Sequence, residues 1–315
     1  MIGIRAVAVE LPDRGIETET LAPAVGVELD ALRDSIGFKV LARAAEEQEV
    51  SELCAAAATN LFQAEGLNPE SIECAAVVTQ RPDGYGIPHA AAILQSKLGL
   101  PTSCACFDIG LGGSGYIHGL SILKGFMESN GFRNGLLFTC DLYSRLVGEM
   151  DGHASLLFGD AATVTLLSDQ PVWSIGKSLF GTVGSQGQAF QIRVRLGGRL
   201  VVDPEVVAEF AKRYGVESIR GVLKINDLST QLVDRVVVQQ ACKGLVKSVG
   251  EALQISEKIG FHAEGYGDTA SSSIPIVLSQ HIAPSDRTVA LFGFGSGLSY
   301  AATVLQRITQ APEPL

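Results

Sequence analysis

Short apolar runs alternate with segments of helical period along most of this chain. The apolar runs predict buried strands, at Ile2–Val9, Cys74–Thr79, Cys104–Ile109, Asn134–Cys140, Ala162–Leu167, Val233–Val238, Thr288–Phe292 and Tyr300–Leu305. The segments between them predict helices, at Ser51–Ala64, Pro88–Leu98, Tyr116–Asn130, Pro204–Tyr214, Gly244–Leu253 and Ser272–His281. Ser51 is the expected N-cap of the first helix. Because strands and helices alternate, we expect an α/β fold with a largely parallel sheet.

The two halves of the chain also resemble each other. The segment Ala75–Gln80 matches Arg235–Gln240, and each precedes a predicted helix. The surrounding strands recur in the same order. We therefore expect an internal duplication of about 150 residues, with an N-terminal half at 1–169 and a C-terminal half at 170–315.

The composition is typical of a globular protein with a large apolar core. Hydrophobic residues make up 46% of the 315 positions and charged residues only 18%, which argues against disorder. The net charge of -10 argues against nucleic acid as a partner, because binding phosphates requires a basic surface. No apolar run approaches the roughly 18 residues of a membrane span, and the first residues lack the apolar core of a signal peptide. We expect a cytoplasmic protein with no membrane partner.

The six cysteines do not predict a metal site. They show no C-x-x-C pairing, and most of them lie in apolar runs, where free cysteine is usually a small buried hydrophobe: Cys54, Cys74, Cys104, Cys106, Cys140 and Cys242. Cys104 and Cys106 differ from the others because Cys104 lies just before a glycine-rich turn and Cys106 begins it. That turn is the strongest candidate for chemistry in the chain.

The glycine-rich turn lies at 106–116 and reads Cys-Phe-Asp-Ile-Gly-Leu-Gly-Gly-Ser-Gly-Tyr. This pattern predicts the end of a strand, a tight turn and the start of a helix. A turn that opens onto a helix N-terminus can hold a nucleophile or bind an anion. Gly113, at the centre of the turn, has no side chain with which to do chemistry.

The same turn satisfies the dinucleotide-binding pattern through Gly110, Gly112 and Gly115. That pattern also requires an acidic residue about 20 positions later, at the end of the next strand. Glu128 comes too early and Asp141 somewhat late. A nucleotide-binding α/β protein is therefore an alternative with weak support.

Four motifs, in this order and at these separations, closely resemble the ketoacyl-ACP synthase III family of the thiolase-like fold: 107–115, Leu157–Ala162, Gly267–Pro275 and Gly293–Ser299. The resemblance covers essentially the full length. It implies a five-layered α-β-α-β-α arrangement of two similar halves, and a homodimer or heterodimer. It also implies acyl transfer from a thioester onto a cysteine, followed by condensation with a second substrate. That chemistry uses a cysteine thiolate, a histidine and an asparagine.

The three positions that the resemblance assigns to catalysis carry other residues in this chain. Gly113 stands in place of the cysteine, Gln239 in place of the histidine, and Asp268 in place of the asparagine. Glutamine cannot act as a base, and an ionised aspartate would repel an oxyanion. The leading hypothesis is a non-catalytic subunit that pairs with a competent synthase III-like paralogue.

The main alternative is an active acyltransferase or condensing enzyme with a rearranged site. Ser114 would be its nucleophile, although a nucleophile elbow needs glycine where the chain has Tyr116. Cys242 and Cys106 are further candidates for such a site, as are His153 and His89.

The resemblance also implies a tunnel for a phosphopantetheine arm, with basic residues at its mouth. Arg193, Arg195 and Lys243 are the candidate contacts for pantetheine, CoA or an acyl carrier protein. Alternation along a strand would place Arg193 and Arg195 on one face. We expect no resident cofactor, and a CoA or phosphopantetheine thioester would be a substrate.

Overall fold

A computed structural model of the chain describes residues 1–148, 152–193 and 198–308. Its strands are β1 (Gly3–Glu10), β2 (Arg14–Glu17), β3 (Val40–Arg43), β4 (Cys74–Val78), β5 (Ala105–Ile109), β6 (Asn134–Cys140), β7 (Ala162–Ser168), β8 (Trp173–Ile175), β9 (Leu179–Thr182), β10 (Phe190–Arg193), β11 (Arg199–Val202), β12 (Arg235–Val238), β13 (Thr288–Gly295) and β14 (Ser299–Arg307). Its α-helices are α1 (Thr18–Leu21), α2 (Leu29–Ala31), α3 (Val50–Glu65), α4 (Ala90–Lys97), α5 (Gly115–Asn130), α6 (Pro204–Ile225), α7 (Lys243–Leu253) and α8 (Ser273–Gln280).

A mixed sheet runs through the whole of the described chain. Its order is β12-β13-β14-β8-β1-β7-β6-β4-β5, and β9 pairs with β14. Only β4 with β5, β4 with β6 and β12 with β13 are parallel among these pairs, so the prediction of a largely parallel sheet is wrong. Parallel neighbours need a long crossover. The short segment 296–298 between β13 and β14 leaves no room for one, and β14 returns antiparallel.

The same succession of pairings occurs twice in this sheet. β4, β6, β7 and β1 follow one another with parallel, antiparallel and antiparallel pairing. β12, β13, β14 and β8 repeat that succession, and the two sets meet where β1 pairs with β8. This topology is that of a duplicated unit, while the boundary after Asp169 stays a prediction.

Helices lie on both sides of each set of strands. α3 and α4 pack with β4, β6 and β7 in one apolar cluster, and α6 and α7 pack with β12 and β13 in another. α5 and α8 lie between the two sets, where they contact β4 and β6 on one side and β12 and β13 on the other. The resulting order of helices, strands, helices, strands and helices confirms the five-layered prediction.

The central helix α5 comes unusually close to the strands beside it. A Cβ atom on Gly115 would overlap Cγ1 of Val78, and one on Gly119 would lie 2.8 Å from Cδ1 of Leu137. These two glycines let the helix approach β4 and β6. The close approach fixes the position of the glycine turn that precedes the helix.

Most of the predicted elements are found within a few residues of their predicted bounds, but two details differ. α6 continues to Ile225, beyond its predicted end. Ser51 is not the N-cap of α3, because Glu49 caps this helix and forms a reciprocal capping box with Glu52. The amide of Ser51 instead donates to the carboxylate of Asp83 at 3.2 Å.

Candidate functional site

Three loops from separate parts of the chain meet at one point. Gly113 lies in the turn between β5 and α5, Gln239 follows β12 directly, and Asp268 precedes the short helical turn Ala270–Ser272 that leads into α8. The amide of Gln239 donates to the carbonyl of Phe292 at 2.9 Å, which continues the β12–β13 ladder and fixes where its side chain begins. Gly113, Gln239 and Asp268 line one cavity of about 330 Å³.

The side chain of Gln239 occupies the space beside Gly113. A Cβ atom on Gly113 would overlap Oε1 of Gln239 and the carbonyl oxygen of Phe294. Oε1 of Gln239 accepts a hydrogen bond from the amide of Phe294 at 3.2 Å. Its Nε2 lies 3.5 and 3.4 Å from the two carboxylate oxygens of Asp268. The side-chain amide of Gln239 is therefore held by Phe294 on one side and by Asp268 on the other. Glycine fits at position 113 beside it, whereas a larger residue would have to displace it.

Asp268 is a buried acid in the wall of this cavity. Its exposed fraction is 5%, and the amide of Ala270 donates to its Oδ1 at 2.9 Å. The pKa of Asp268 is raised to about 6, first by burial and also by the nearby Asp141. Burial likewise raises the pKa of Asp141 to about 6. The cavity wall therefore contains one carboxyl group with a pKa of about 6, that of Asp268, and a second such group, that of Asp141, lies outside the lining.

Aromatic and aliphatic side chains form most of the remaining wall. The rings of Tyr143, Phe158 and Phe190 pack edge-on or tilted, with centroids 5.2, 5.7 and 6.1 Å apart. The hydroxyl of Tyr143 donates to Oε1 of Gln80, so its polar end is satisfied. A largely apolar cavity with a few fixed polar groups suits a small organic ligand.

Ser114 is not among the residues that line the cavity. It is fully buried, and its Oγ lies 2.8 Å from Oγ of Ser299. The ring of His118 donates from Nδ1 to the carbonyl of Ser114 at 2.9 Å, not to its hydroxyl. The described contacts of Ser114 are those of a structural hydroxyl.

The three basic residues expected at the mouth of the cavity are placed separately or not described. Arg195 lies outside the described residues, and Arg193 is the last residue of β10. Lys243 begins α7, and its Nζ donates to the carbonyl of Arg33 at 3.2 Å. A role for these residues in binding CoA or a carrier protein stays a prediction.

Four other arginines line a separate polar cavity of about 640 Å³: Arg14, Arg43, Arg81 and Arg145. The carboxylate of Glu49 lies 3.7 Å from Arg81 and 3.3 Å from Arg145. These arginines are far apart in the sequence and come from different elements, so sequence spacing gives no sign of the cluster.

Cys242 and Cys106 differ in where the fold places them. Cys242 lines the cavity of Gln239 and Asp268. The pKa of its thiol is raised, mainly by burial and also by the charge of Asp268, which disfavours the reactive thiolate. Cys106 lies on β5, outside the cavity lining, with its Sγ 3.9 Å from that of Cys104.

Other protein atoms fill the space beside the glycine turn where a nucleotide phosphate would have to bind. A Cβ atom on Gly112 would lie 2.6 Å from the hydroxyl of Tyr143 and 2.8 Å from Oε1 of Gln80. One on Gly295 would lie 2.9 Å from the amide nitrogen of Gly113. The glycines therefore serve close packing between loops, which counts against the dinucleotide alternative.

Two family models match the chain in its two halves. Residues 107–184 match the model described as 3-oxoacyl-[acyl-carrier-protein (ACP)] synthase III. Residues 223–307 match the model of the C-terminal part of the same synthase, and the two matches together cover more than half of the chain. The chain belongs to the 3-oxoacyl-ACP synthase III family.

Individual synthase III proteins resemble the chain along nearly its whole length. The beta-ketoacyl-[acyl-carrier-protein] synthase III of Lactobacillus helveticus is 29% identical over 330 residues, which cover 96% of this chain and 98% of that protein. A solved 3-oxoacyl-(acyl-carrier-protein) synthase III superposes with a TM-score of 0.90 at 26% identity, covering 98% and 99% of the two chains. The synthase III of Aquifex aeolicus gives a TM-score of 0.90 at 24% identity, with 97% and 100% covered. This synthase III-like chain therefore has the thiolase-like fold that its motifs predict.

Within residues 1–148, 152–193 and 198–308, every helix of this synthase III-like chain is too short or too polar to span a bilayer. The same residues contain no group of three or more His, Cys, Asp and Glu side chains arranged to hold a metal ion.

Proposed function

We propose that this synthase III-like chain is a non-catalytic subunit that pairs with a competent paralogue in fatty-acid or polyketide-type acyl condensation. The main support is the lack of space for a side chain at position 113, where a Cβ atom would overlap Gln239 and Phe294. The resemblance assigns the acyl-accepting cysteine to that position, and here Gln239 and the backbone of Phe294 fill the space of any side chain. A thiol at this point would have to displace Gln239 from its hydrogen bonds and would still meet a backbone carbonyl.

The polar groups around the cavity are unsuited to thioester chemistry. The amide of Gln239 cannot take a proton from a nucleophile. The carboxyl of Asp268, with a pKa of about 6, is mostly ionised at neutral pH and would destabilise a developing oxyanion. Cys242 is disfavoured as a thiolate. These groups support the binding of a ligand more than the transfer of an acyl group.

An active acyltransferase that uses Ser114 has weaker support. The hydroxyl of Ser114 is buried and bonded to Ser299. A serine nucleophile needs a base within hydrogen-bond distance, and the described partner of this hydroxyl is another hydroxyl.

An unpaired strand edge supports the pairing with a second subunit. β5 is the last strand at one end of the described sheet, so one side of its backbone is available to another strand. Its residues Ala105–Asp108 are only partly buried. We assign this edge to the synthase III-like paralogue, with a second copy of this chain as the alternative. An acyl carrier protein and a cytoplasmic location remain expectations that follow from the family.

Exposed apolar side chains lie close to this edge. Tyr85 and Ile87 are 101% and 87% exposed, on the loop between β4 and α4. The carboxylate of Asp108 on β5 accepts hydrogen bonds from the amides of Ala90 and Ala91 at 2.8 and 2.9 Å, which ties the end of this loop to the edge strand. Adjacent exposed apolar residues are typical of a protein interface.

The test is a reconstitution with a synthase III-like paralogue that has its cysteine, histidine and asparagine. Release of free CoA from an acyl-CoA would be measured for this chain alone, the paralogue alone and both together. We expect no release by this chain alone, co-elution of the two proteins, and a rate for the mixture several-fold different from that of the paralogue. Turnover by this chain alone, or an unchanged elution and rate in the mixture, would refute the proposal.

A further inference from the structure

The carboxylate of Asp268 receives fewer hydrogen bonds than its two oxygens can accept. The amide of Ala270 is its one short donor, at 2.9 Å. The amide nitrogen of Gln239 lies 3.4 and 3.5 Å away, at the limit of a hydrogen bond. A carboxylate offers about four lone-pair positions, which exceeds the donors described for it, and Asp268 lines the cavity.

Among the described residues of the cavity wall, no lysine or arginine neutralises the negative charge of the Asp268 carboxylate. The described lining contains no lysine or arginine, and its one histidine, His153, is exposed. The charge of a second acid, Asp141, acts on Asp268 and raises its pKa further. Burying an uncompensated carboxylate is costly, and such a group in a cleft indicates a ligand that supplies the missing donor.

We propose that this cavity binds an apolar molecule that carries a primary ammonium group, with the ammonium donating to the carboxylate of Asp268. An ammonium supplies three N–H donors and a positive charge, which match the open positions of the carboxylate. A thioester carbonyl is only an acceptor and would face another acceptor. The proposal rests on the proposed function in that it takes the cavity as a binding site, but the contacts of Asp268 that carry it are those of the unmodified chain.

The volume and lining of the cavity limit the rest of such a ligand. A space of about 330 Å³ holds a short chain or a single ring but not a long acyl chain. The aromatic rings of Tyr143, Phe158 and Phe190 pack together in its wall. A compact apolar amine therefore fits the site.

The experiment compares three probes of nearly equal size: hexylamine, 1-hexanol and hexanoate. Their dissociation constants would be measured at pH 7.5 by calorimetry or ligand-observed NMR. We expect hexylamine to bind at least about tenfold more tightly than 1-hexanol, because a charge-assisted hydrogen bond is stronger than a neutral one. Hexanoate should bind more weakly than both. Equal binding of hexylamine and 1-hexanol would overturn the proposal.

Two variants separate Asp268 from the other buried acid. Asp268→Asn should remove the preference for hexylamine while leaving the binding of 1-hexanol unchanged. Asp141→Asn is the matched control, because Asp141 is also buried but is absent from the cavity lining, and it should keep the preference. A preference that survives Asp268→Asn, or that is lost in Asp141→Asn alone, would contradict the proposal.

The wild-type chain provides a test that does not depend on a variant folding. The titratable groups that face Asp268 or its cavity are Asp141, Tyr143, Cys242, Tyr266 and His153. Because the pKa of Asp268 is about 6, its carboxylate is protonated as the pH falls from 7.5 to 5. The affinity for hexylamine should then fall roughly tenfold, while that for 1-hexanol stays constant. A pH-independent preference would overturn the proposal, whereas a covalent adduct with an acyl-CoA would contradict the proposed function and leave this preference intact.

Discussion

At the level of single residues, Gly113 and Gln239 depend on each other. The Gln239 side chain extends into the volume that a side chain at position 113 would fill, and it is fixed there by the amide of Phe294. The second obstacle, the carbonyl of Phe294, belongs to the backbone of β13. It cannot move aside as a flexible side chain could. The absence of a nucleophile at this position is therefore a property of two loops together.

Replacing Gly113 tests this packing directly. Gly113→Ala should lower the free energy of unfolding by roughly 1–3 kcal/mol, the usual cost of overpacking a tight site. Gly110→Ala is the matched control in the same turn, because a Cβ atom there has no atom within 4 Å, and its effect should stay within about 0.5 kcal/mol. Urea unfolding of the two variants measures the difference. Similar stabilities would mean that Gln239 and Phe294 do not confine position 113.

The residues of the candidate site were only partly predictable. Gly113, Gln239 and Asp268 could be singled out from motifs, and the fold brings all three to one cavity. Their catalytic equivalence to the family positions remains a prediction. Tyr143 and Phe190 could not be predicted as cavity residues, because they lie outside the recognisable motifs and reach the site only through the packing of distant loops.

At the level of the elements, β5 connects the site with the proposed interface. It is an edge strand, and the glycine turn that contains Gly113 follows it directly. A partner that pairs with β5 would therefore bind next to the turn that lines the cavity. The loop with Tyr85 and Ile87 extends the same region with exposed apolar side chains.

Polar substitutions on that loop should weaken subunit pairing. The double variant Tyr85→Ser, Ile87→Ser removes two exposed apolar side chains and should weaken the affinity for the synthase III-like paralogue by at least about tenfold. Leu232→Ser is the control, since Leu232 is also exposed, at 59%, but lies near β12 at the other end of the sheet. Light scattering of each variant mixed with the paralogue, over a dilution series, measures both affinities. If the two variants pair equally well with the paralogue, the loop is not part of the interface.

The predictability of the elements follows from their length and burial. β4, β6 and β7 are fully or almost fully buried, so their apolar runs predict them well. β2, β3 and β8 to β11 are only three or four residues long, too short to show a clear period. The antiparallel direction of β14 could have been predicted, because only seven residues separate the predicted strands Thr288–Phe292 and Tyr300–Leu305, too few for a parallel crossover.

At the level of the whole molecule, the site is formed by loops that belong to the two different sets of strands. Gly113 follows β5, next to one set of strands, and Gln239 follows β12 of the other set, while Asp268 precedes α8. The contacts that hold the fold are separate from these polar groups, since α5 and α8 pack against both sets of strands through apolar side chains. The apolar packing of these helices therefore holds the architecture independently of the polar groups in the cavity wall.

The most direct test of this account is the intact mass of the purified chain after incubation with a series of acyl-CoAs. The account predicts an unchanged mass with every acyl-CoA, because position 113 has no nucleophile and Ser114 is buried against Ser299. A paralogue that has the cysteine should gain one acyl group under the same conditions. A stoichiometric acyl adduct on this chain, located on Ser114, Cys242 or any other residue, would contradict the account.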